Sequence, residues 1–197
     1  MKHALILIAF AALSACTYES DLDAPPVDLG NFMLEHNVVV APFVATASSL
    51  SREATEEELT TAVQDAIAAR FDRYEGERRY HLGVSIEGYV LARAGIPVVA
   101  APKSAMIIRV TVWDDEKASK LNDPPEQMTI LENLDGESLI GTGWTQSAQK
   151  QLDGLARNAA KAIEEFLVKE NIQKGWFMEE GYVPPVIENT VTEGGDR

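Results

Sequence analysis

The residues that could take part in acid–base or metal chemistry are few and scattered. After the first fifteen residues the chain has two histidines, His36 and His81, and a single cysteine, Cys16. There is no His-Glu-x-x-His motif and no cysteine pair, which are common spacings of zinc sites. The acidic run 114–116 (DDE) could bind a hard cation but is more typical of a solvated strand end. We therefore predict no metal, no cofactor, and structural or solvent-facing histidines.

Three further motifs match functional sites only in part. The 135–136 turn (DG) is similar to part of a calcium loop, but Leu131 occupies the first ligand position and Thr142 the closing position, where glutamate is required. The run 141–143 (GTG) lacks the third glycine and the preceding parallel strand of a nucleotide-binding loop. The chain contains no Gly-x-Ser-x-Gly elbow that would expose a nucleophilic serine. We therefore expect no enzymatic activity.

The N-terminal stretch has a much clearer pattern. A short, positively charged start contains Lys2, and an uncharged apolar run follows over residues 4–12 (ALILIAFAA). Residues 13–16 (LSAC) then bring small residues just before the cysteine. This order of zones is that of a secretory signal peptide, and the apolar run is too short to span a bilayer. We predict a signal peptide over residues 1–15.

The sequence Leu13-Ser14-Ala15-Cys16 also resembles the lipobox of bacterial lipoproteins. In that motif a leucine lies three residues before the cysteine and small residues fill the gap. The resemblance implies that the Cys16 thiolate receives a diacylglyceryl group, that the chain is cut between Ala15 and Cys16, and that the new amine is acylated. Because two or more acyl chains attach a protein stably, the expected partner is a membrane, through the lipid on Cys16.

Two other interpretations of the N-terminus stay open. The chain could carry an ordinary cleaved signal peptide with Cys16 as a bystander, or it could be a cytosolic protein with an apolar N-terminal helix. Thr17 follows the cysteine, whereas an aspartate at that position retains enterobacterial lipoproteins at the inner membrane. The resemblance therefore favours a lipid-anchored protein that faces the periplasm, at the outer membrane.

The charge balance excludes one class of partner. The 197 residues carry a formal net charge of −14, and removing residues 1–15 takes away Lys2 but no acidic residue, which leaves −15. A protein this acidic does not attract nucleic acid or anionic lipid through general electrostatics, so we expect no nucleic-acid partner. If Cys16 carries lipid, no disulfide can form within the chain, and the fold depends on packing alone.

The chain divides into a tether, a domain and a tail. Residues 16–35 are interpreted as the lipidated N-terminus and a flexible tether, because they are acidic, contain Pro25-Pro26 and show no apolar period. Residues 17–31, fifteen in number, span about 20–25 Å as a coil. The domain is predicted over residues 36–175, and a C-terminal tail over residues 176–197.

The periods of the apolar residues predict the elements of this domain. A β-branched run predicts a strand over 38–43, and a three- and four-residue repeat predicts a helix that is capped by Ser51 and extends to about residue 74. Alternation predicts strands over 80–92 and 106–113, with Tyr89 on the face opposite the core. Further elements are predicted over 128–131 and 139–141, as strands, and over 147–170, as a helix closed by Gly175.

Two amphipathic helices can cover one face of such a sheet. The predicted fold is therefore an α+β two-layer sandwich, a mostly antiparallel sheet covered by two amphipathic helices. With the turn 133–137 (NLDGE) between late strands, this element order resembles small lipoproteins of unknown function related to the TolB amino-terminal domain and the CsgG-like fold. The resemblance covers about residues 36–170. It implies a periplasmic binding or assembly module without catalysis, and it brings no functional residue to this chain.

Two apolar, irregular stretches are candidate contacts for an envelope protein partner. The loop 94–102 (AGIPVVAAP) is uncharged and contains Ile96, Val98 and Val99 between two strands, where an exposed apolar loop could dock a partner. The tail begins with Trp176 and Phe177, which could serve in the same way. The alternative in each case is that these side chains pack on the domain itself.

These patterns together predict a lipid-anchored, periplasm-facing, non-enzymatic binding or assembly module. The alternative is a small-ligand carrier, or a hydrolase whose site has no recognisable motif. A deep pocket lined by converging polar groups would favour that alternative.

Overall fold

The computed structural model describes residues 21–42, 45–46, 51–92, 104–132 and 148–179. The two helices in these stretches are α1 (Glu56–Phe71) and α2 (Ala148–Lys174). The strands are β1 (Met33–Val40), β2 (Ala45–Thr46), β3 (Arg79–Val90), β4 (Ala105–Asp114), β5 (Ser119–Lys120) and β6 (Glu126–Leu131). The strand predicted over 139–141 lies outside the described residues.

The strands form one mixed sheet around β3 and β4. β1 and β2 pair with β3 in parallel, and β4 pairs with β3 in antiparallel orientation. β5 and β6 both pair with β4 in antiparallel orientation. The parallel pair requires a crossover connection, which α1 provides between β1 and β3. The α+β fold class is confirmed, with parallel pairing at the β1 side of the sheet.

Both helices pack on one face of the sheet. The alternating pattern of β3 and β4 turns one set of side chains towards the helices, where they are at most 2% exposed. The helices bury apolar side chains at three- and four-residue steps against this face, as their periods predict. The core includes Leu82, Val84, Ile86, Met106, Ile108, Val110 and Val112 from the sheet, and Leu59, Val63, Ile67, Leu155, Ile163 and Leu167 from the helices.

A bulge changes the face of one aromatic residue in β3. The register between β3 and β4 shifts between Ile86 and Gly88, so the simple alternation does not continue beyond this point. Tyr89 is only 3% exposed, and its hydroxyl donates to the Ala54 carbonyl (3.1 Å) and accepts from the Ala54 N–H (2.9 Å). The prediction that Tyr89 lies opposite the core is therefore wrong.

The N-terminus of α1 is a capping box. The Thr55 hydroxyl accepts from the Glu58 N–H (3.1 Å), and the Glu58 carboxylate accepts from the Thr55 N–H (2.7 Å). The hydrogen bonds from the Thr55 N–H and hydroxyl lower the pKa of Glu58. The prediction that Ser51 caps this helix is wrong. The buried Ser51 hydroxyl instead accepts from the Leu91 N–H (2.9 Å) and joins the end of β3 to the segment before α1.

The domain begins earlier in the chain than the sequence suggests. Residues 21–32, which we call the N-terminal strap, lie against the domain and place Leu29 (1% exposed) and Phe32 (fully buried) in its core. Met33 then begins β1. The predicted boundaries, a tether over 16–35 and a domain over 36–175, are wrong at this point, because two isolated apolar residues in an acidic, proline-containing segment show no period.

Two glycines give a matched test of how closely the strap packs. A Cβ on Gly76 would overlap the backbone N, C and O atoms of Phe32, whereas a Cβ on Gly154, within α2, would have nothing within 4 Å. We predict that Gly76→Ala lowers the free energy of unfolding by about 1–3 kcal/mol, because the strap backbone must move. Gly154→Ala should raise it by up to about 1 kcal/mol, because alanine is the better helix former.

Urea denaturation followed by far-UV circular dichroism measures both changes in the free energy of unfolding. A Gly76→Ala variant as stable as the parent protein would contradict the close approach of the strap to Gly76.

Candidate functional site

A buried arginine joins the strap to both helices. Arg70 lies in the last turn of α1 and is 5% exposed. Its Nη1 donates to Glu164 Oε2 in α2 (2.7 Å), and its Nη2 donates to both carboxylate oxygens of Asp21 in the strap (2.8 Å each). The planar fork of donors suits two carboxylates at once. One guanidinium therefore holds three segments of the chain together.

Glu164 is a buried carboxylate with a partner on each oxygen. It is 7% exposed, and its Oε1 accepts from the Tyr74 hydroxyl at 2.8 Å, with Arg73 Nη2 at 3.9 Å. Burial raises the pKa of Tyr74, and the hydrogen bond to Glu164 raises it further. A carboxylate is tolerated inside a protein only when it is paired and hydrogen-bonded. Glu164 therefore depends on Arg70 for its charged, buried position.

The two charges at the strap are stabilised by each other. Burial disfavours the charge of Arg70, but hydrogen bonds to Asp21 and Glu164 outweigh this effect and raise the pKa of Arg70. Burial also opposes the charge of Asp21, yet the bonds to Arg70 and to Lys161 (3.3 Å) hold the pKa of Asp21 below its usual 3.8. Because the Asp21 side chain is 46% exposed, solvent screens its pairs more strongly than it screens Arg70–Glu164.

Two side chains, one just after the end of α1 and one in α2, also bind the backbone of the strap. Arg73 Nη1 donates to the carbonyls of Leu22 (2.8 Å) and Ala24 (2.9 Å). Further along, the buried Asn171 of α2 donates to the carbonyl of Leu29 (3.1 Å). The strap therefore has hydrogen bonds to the helices at both of its ends. A cleft of about 410 Å³ between strap and helices is lined by Asp21, Pro25, Pro26, Val27, Arg73, Lys161 and Val168, among others.

An aromatic cluster fixes the end of the strap. The Phe32 ring stacks on Tyr80, with centroids 5.3 Å apart, and meets Phe177 edge-on at 4.9 Å. Tyr74 and Phe71 complete the cluster at 5.6 and 6.1 Å. Aromatic pairs of this kind add about 0.5–1.5 kcal/mol beyond the burial of their area. The strap therefore enters the core at a well-packed position.

The structure corrects the prediction that Trp176 and Phe177 contact a partner. Gly175 closes α2 with a φ of +66°, as predicted, and the chain turns back onto the domain. Trp176 is then 7% exposed and Phe177 is fully buried, and the Phe177 carbonyl accepts from the Asn31 N–H of the strap (2.9 Å). In the structure this segment packs on the domain, in agreement with the alternative interpretation.

His36 and His81 lie together on the sheet face that the helices leave open. The rings of His36 and His81 stack with centroids 5.0 Å apart. His81 Nε2 lies 3.2 Å from Asp115 Oδ1, and this hydrogen bond, together with the charge of Arg79, lowers the pKa of Asp115. Within the described ranges, no group of three or more His, Cys, Asp or Glu side chains could hold a metal ion.

The acidic run 114–116 is solvated only in part. Asp114 is 1% exposed, and its Oδ2 accepts from Arg78 Nη2 (3.0 Å) while its Oδ1 accepts from the Lys117 N–H (3.1 Å). The prediction of a solvated strand end is therefore wrong for Asp114, which pairs with Arg78 and caps the turn between β4 and β5.

The remaining predicted site residues lie outside the described residues and stay predictions. They are Leu13, Ser14, Ala15 and Cys16 at the N-terminus, and Ile96, Val98 and Val99 in the 94–102 loop. In the part of the chain that the structure covers, no helix is long and apolar enough to cross a membrane.

Sequence reasoning missed the Arg70–Glu164 pair, although a signal for it exists. Glu164 continues a stripe of small residues, Ala156 and Ala160, at four-residue steps along α2. An acidic residue in a stripe that faces a neighbouring helix requires a buried basic partner. Arg70, beside the core residue Phe71, is such a partner.

We predict that the ion pairs of Arg70 with Glu164 and with Asp21 contribute unequally to the free energy of unfolding. Arg70→Met should lower the free energy of unfolding at neutral pH by about 3–5 kcal/mol, because it leaves Glu164 buried without its cation. Asp21→Asn should cost less than about 1 kcal/mol, because that pair is half-exposed. Urea denaturation measures both, with Asp23→Asn, an exposed neighbour in the strap, as the control.

The destabilisation caused by Asp21→Asn should also depend on pH. The pKa of Asp21 is lowered in the folded protein from its usual 3.8. The stabilisation of the fold by the Asp21 ion pairs is therefore complete above pH 3.8 and is lost as the pH falls through the pKa of the folded protein. The stability difference between the parent and Asp21→Asn should therefore close in acid. A difference that widens in acid, or an Asp21→Asn cost equal to that of Arg70→Met, would contradict this account of the network.

Comparisons with known proteins report structural likeness only. No family model matches the chain, and no curated protein matches it. Among solved structures, the chain is similar to a Xanthomonas campestris protein of family DUF330, at 11% identity over 77% of this chain and 94% of the other, with a TM-score of 0.45.

Two more solved structures are similar to this chain at comparably low identity and TM-score. One is a candidate lipoprotein from Caulobacter crescentus, at 14% identity over 64% of this chain and 88% of the other, with a TM-score of 0.35. The other is a minor lipoprotein from Acinetobacter baumannii, at 14% identity over 71% of this chain and 96% of the other, with a TM-score of 0.30. The resemblance to TolB amino-terminal and CsgG-like domains is not among these findings and stays a prediction.

Proposed function

We propose that this chain is a lipid-anchored protein of the bacterial envelope that faces the periplasm from the outer membrane. The α+β domain would act there as a non-enzymatic binding or assembly module for an envelope protein. The observation that carries the proposal is the sequence Leu13-Ser14-Ala15-Cys16 at the end of an uncharged apolar run. Cys16 is the only cysteine of the chain and stands where a lipobox places it.

The position of the strap supports this proposal. Asp21, already hydrogen-bonded to Arg70, lies five residues after Cys16. A short connection of this kind keeps a domain close to the membrane that holds its lipid. Attachment to a surface raises the effective concentration of the domain for partners on the same membrane.

The use of the ionisable side chains supports binding rather than catalysis. Glu164 is paired with Arg70, and Asp114 with Arg78. Each of these two pairs joins separate segments of the domain, whereas the third described buried carboxylate, Glu170, is paired with Lys174 of the same helix. The apolar loop 94–102 is the remaining candidate contact for an envelope protein partner.

Replacement of Cys16 tests the proposal. Cys16→Ser removes the thiolate that would receive lipid, so we predict an uncleaved precursor that takes up no radiolabelled palmitate and gives no mature form in outer-membrane fractions. Ser14→Ala is the matched control, because it keeps a small residue in the gap and should be labelled and processed like the parent. Circular dichroism of the domain expressed without residues 1–16 should show that lipidation is not needed for folding.

The result that would overturn the proposal is equally definite. If Cys16→Ser were cleaved and fractionated as the parent protein is, Cys16 would be a bystander in an ordinary signal peptide. Recovery of the parent protein in inner-membrane fractions would keep the lipid anchor and contradict only the outer-membrane location.

A further inference from the structure

We propose that the N-terminal strap orients the domain on the membrane, with the helix layer towards the bilayer and the open face of the sheet directed away from it. This inference rests on the lipidation of Cys16 proposed above. The partner surface is the headgroup layer of the same bilayer that holds the acyl chains. The strap is then both part of the fold and the element that sets the orientation.

The first step of the argument is that the start of the strap is fixed to the helices. Asp21 is bonded through both carboxylate oxygens to Arg70 of α1, and Lys161 of α2 lies 3.3 Å from it. Arg73 adds two hydrogen bonds to strap carbonyls just beyond Asp21. The point at which the domain is connected to the anchor is therefore on the helix layer.

The second step is the covalent reach of the chain. Asp21 follows Cys16 by five residues, and a fully extended chain spans at most about 3.6 Å per residue, or about 18 Å in total. This limit holds for every conformation of the intervening residues. Asp21, and with it the helix layer around Arg70, cannot leave the neighbourhood of the acylated cysteine.

The third step is the thickness of the domain. A helix with its side chains is about 10–12 Å across, and the sheet with its outer side chains lies beyond it. If the open sheet face lay on the membrane, the connection would have to pass both layers to reach the bilayer. The length of that path is close to the limit of about 18 Å, so the connection would have to be almost fully extended, which costs conformational entropy. Covalent reach thus favours one side of the two-layer sandwich.

Charge does not provide an alternative cause of orientation. The chain has a net charge of −14, which does not attract an anionic surface. The side chains around the strap are of both signs: Lys161 is 50% exposed and Asp21 is 46% exposed. The exposed apolar side chains Val38 (57%) and Val40 (46%), on β1, lie on the open sheet face and would be directed away from the bilayer.

The experiment uses the full lipidated protein in phosphatidylcholine vesicles that contain a lipid with a gadolinium chelate on its headgroup, because the neighbouring imidazoles of His36 and His81 on the open sheet face would bind a nickel chelate. Spin labels are attached at Glu165→Cys, an exposed position of α2 beside the strap cleft, or at Val38→Cys on the open sheet face. Cys16 does not react with the label, because its sulfur is a thioether in the lipidated protein. We expect relaxation of the label by the lipid-borne gadolinium to be severalfold stronger at position 165 than at position 38.

A length variant tests the cause. Insertion of twenty Gly/Ser residues directly before Asp21 leaves every contact of the strap in place but lengthens the connection to about 25 residues, which span about 25–30 Å as a coil. We expect the relaxation ratio between the two labels to fall towards one in this variant. A ratio near one in the parent protein, or an unchanged large ratio after the insertion, would overturn the inference.

The two proposals fail in different ways. Vesicle-bound protein with equal relaxation at both labels contradicts the orientation and leaves the lipid anchor intact. Protein that does not float with the vesicles contradicts the lipid anchor, and the orientation that rests on it fails as well.

Discussion

The burial of one guanidinium determines how three parts of this chain are assembled. Arg70 is 5% exposed and is stable there because Glu164 and Asp21 surround it with carboxylate oxygens. The pair with Glu164 fixes α1 against α2, and the pair with Asp21 brings the strap onto both helices. Burying a charged pair costs desolvation free energy that burying apolar residues of the same size does not cost. The pair therefore contributes more to the specific arrangement of the helices and strap than to the stability of the fold.

If Cys16 carries lipid as proposed, the strap makes anchoring and folding parts of one arrangement. A domain on a long coil would sample all orientations, whereas a domain whose strap is bonded at Asp21 and buried at Phe32 takes its position from its own core. The same segment supplies Leu29 to the core and passes beside the last helix. Its acidic and proline-containing sequence therefore serves attachment along the helix layer rather than separation from it.

The sequence predicted the regular elements well, because periods of two and 3.6 residues reflect one-sided burial directly. Helices α1 and α2 and strands β3 and β4 lie close to their predicted bounds. The misses have local causes: Leu29 and Phe32 are isolated in the strap without a period, Tyr89 follows a bulge, and Trp176 follows a left-handed turn. The network of Arg70 could not be placed without tertiary contacts, since its partners are 49 and 94 residues away.

The most direct test of a lipid anchor immediately before the strap is mass spectrometry of the mature N-terminus from separated membranes. The account predicts, in the outer-membrane fraction, a proteolytic fragment that begins at Cys16 and carries the added mass of its acyl groups. An unmodified N-terminus in the soluble fraction would contradict it. Cys16 would then have no role in attachment, and the strap would be only the first structural segment of a freely diffusing domain.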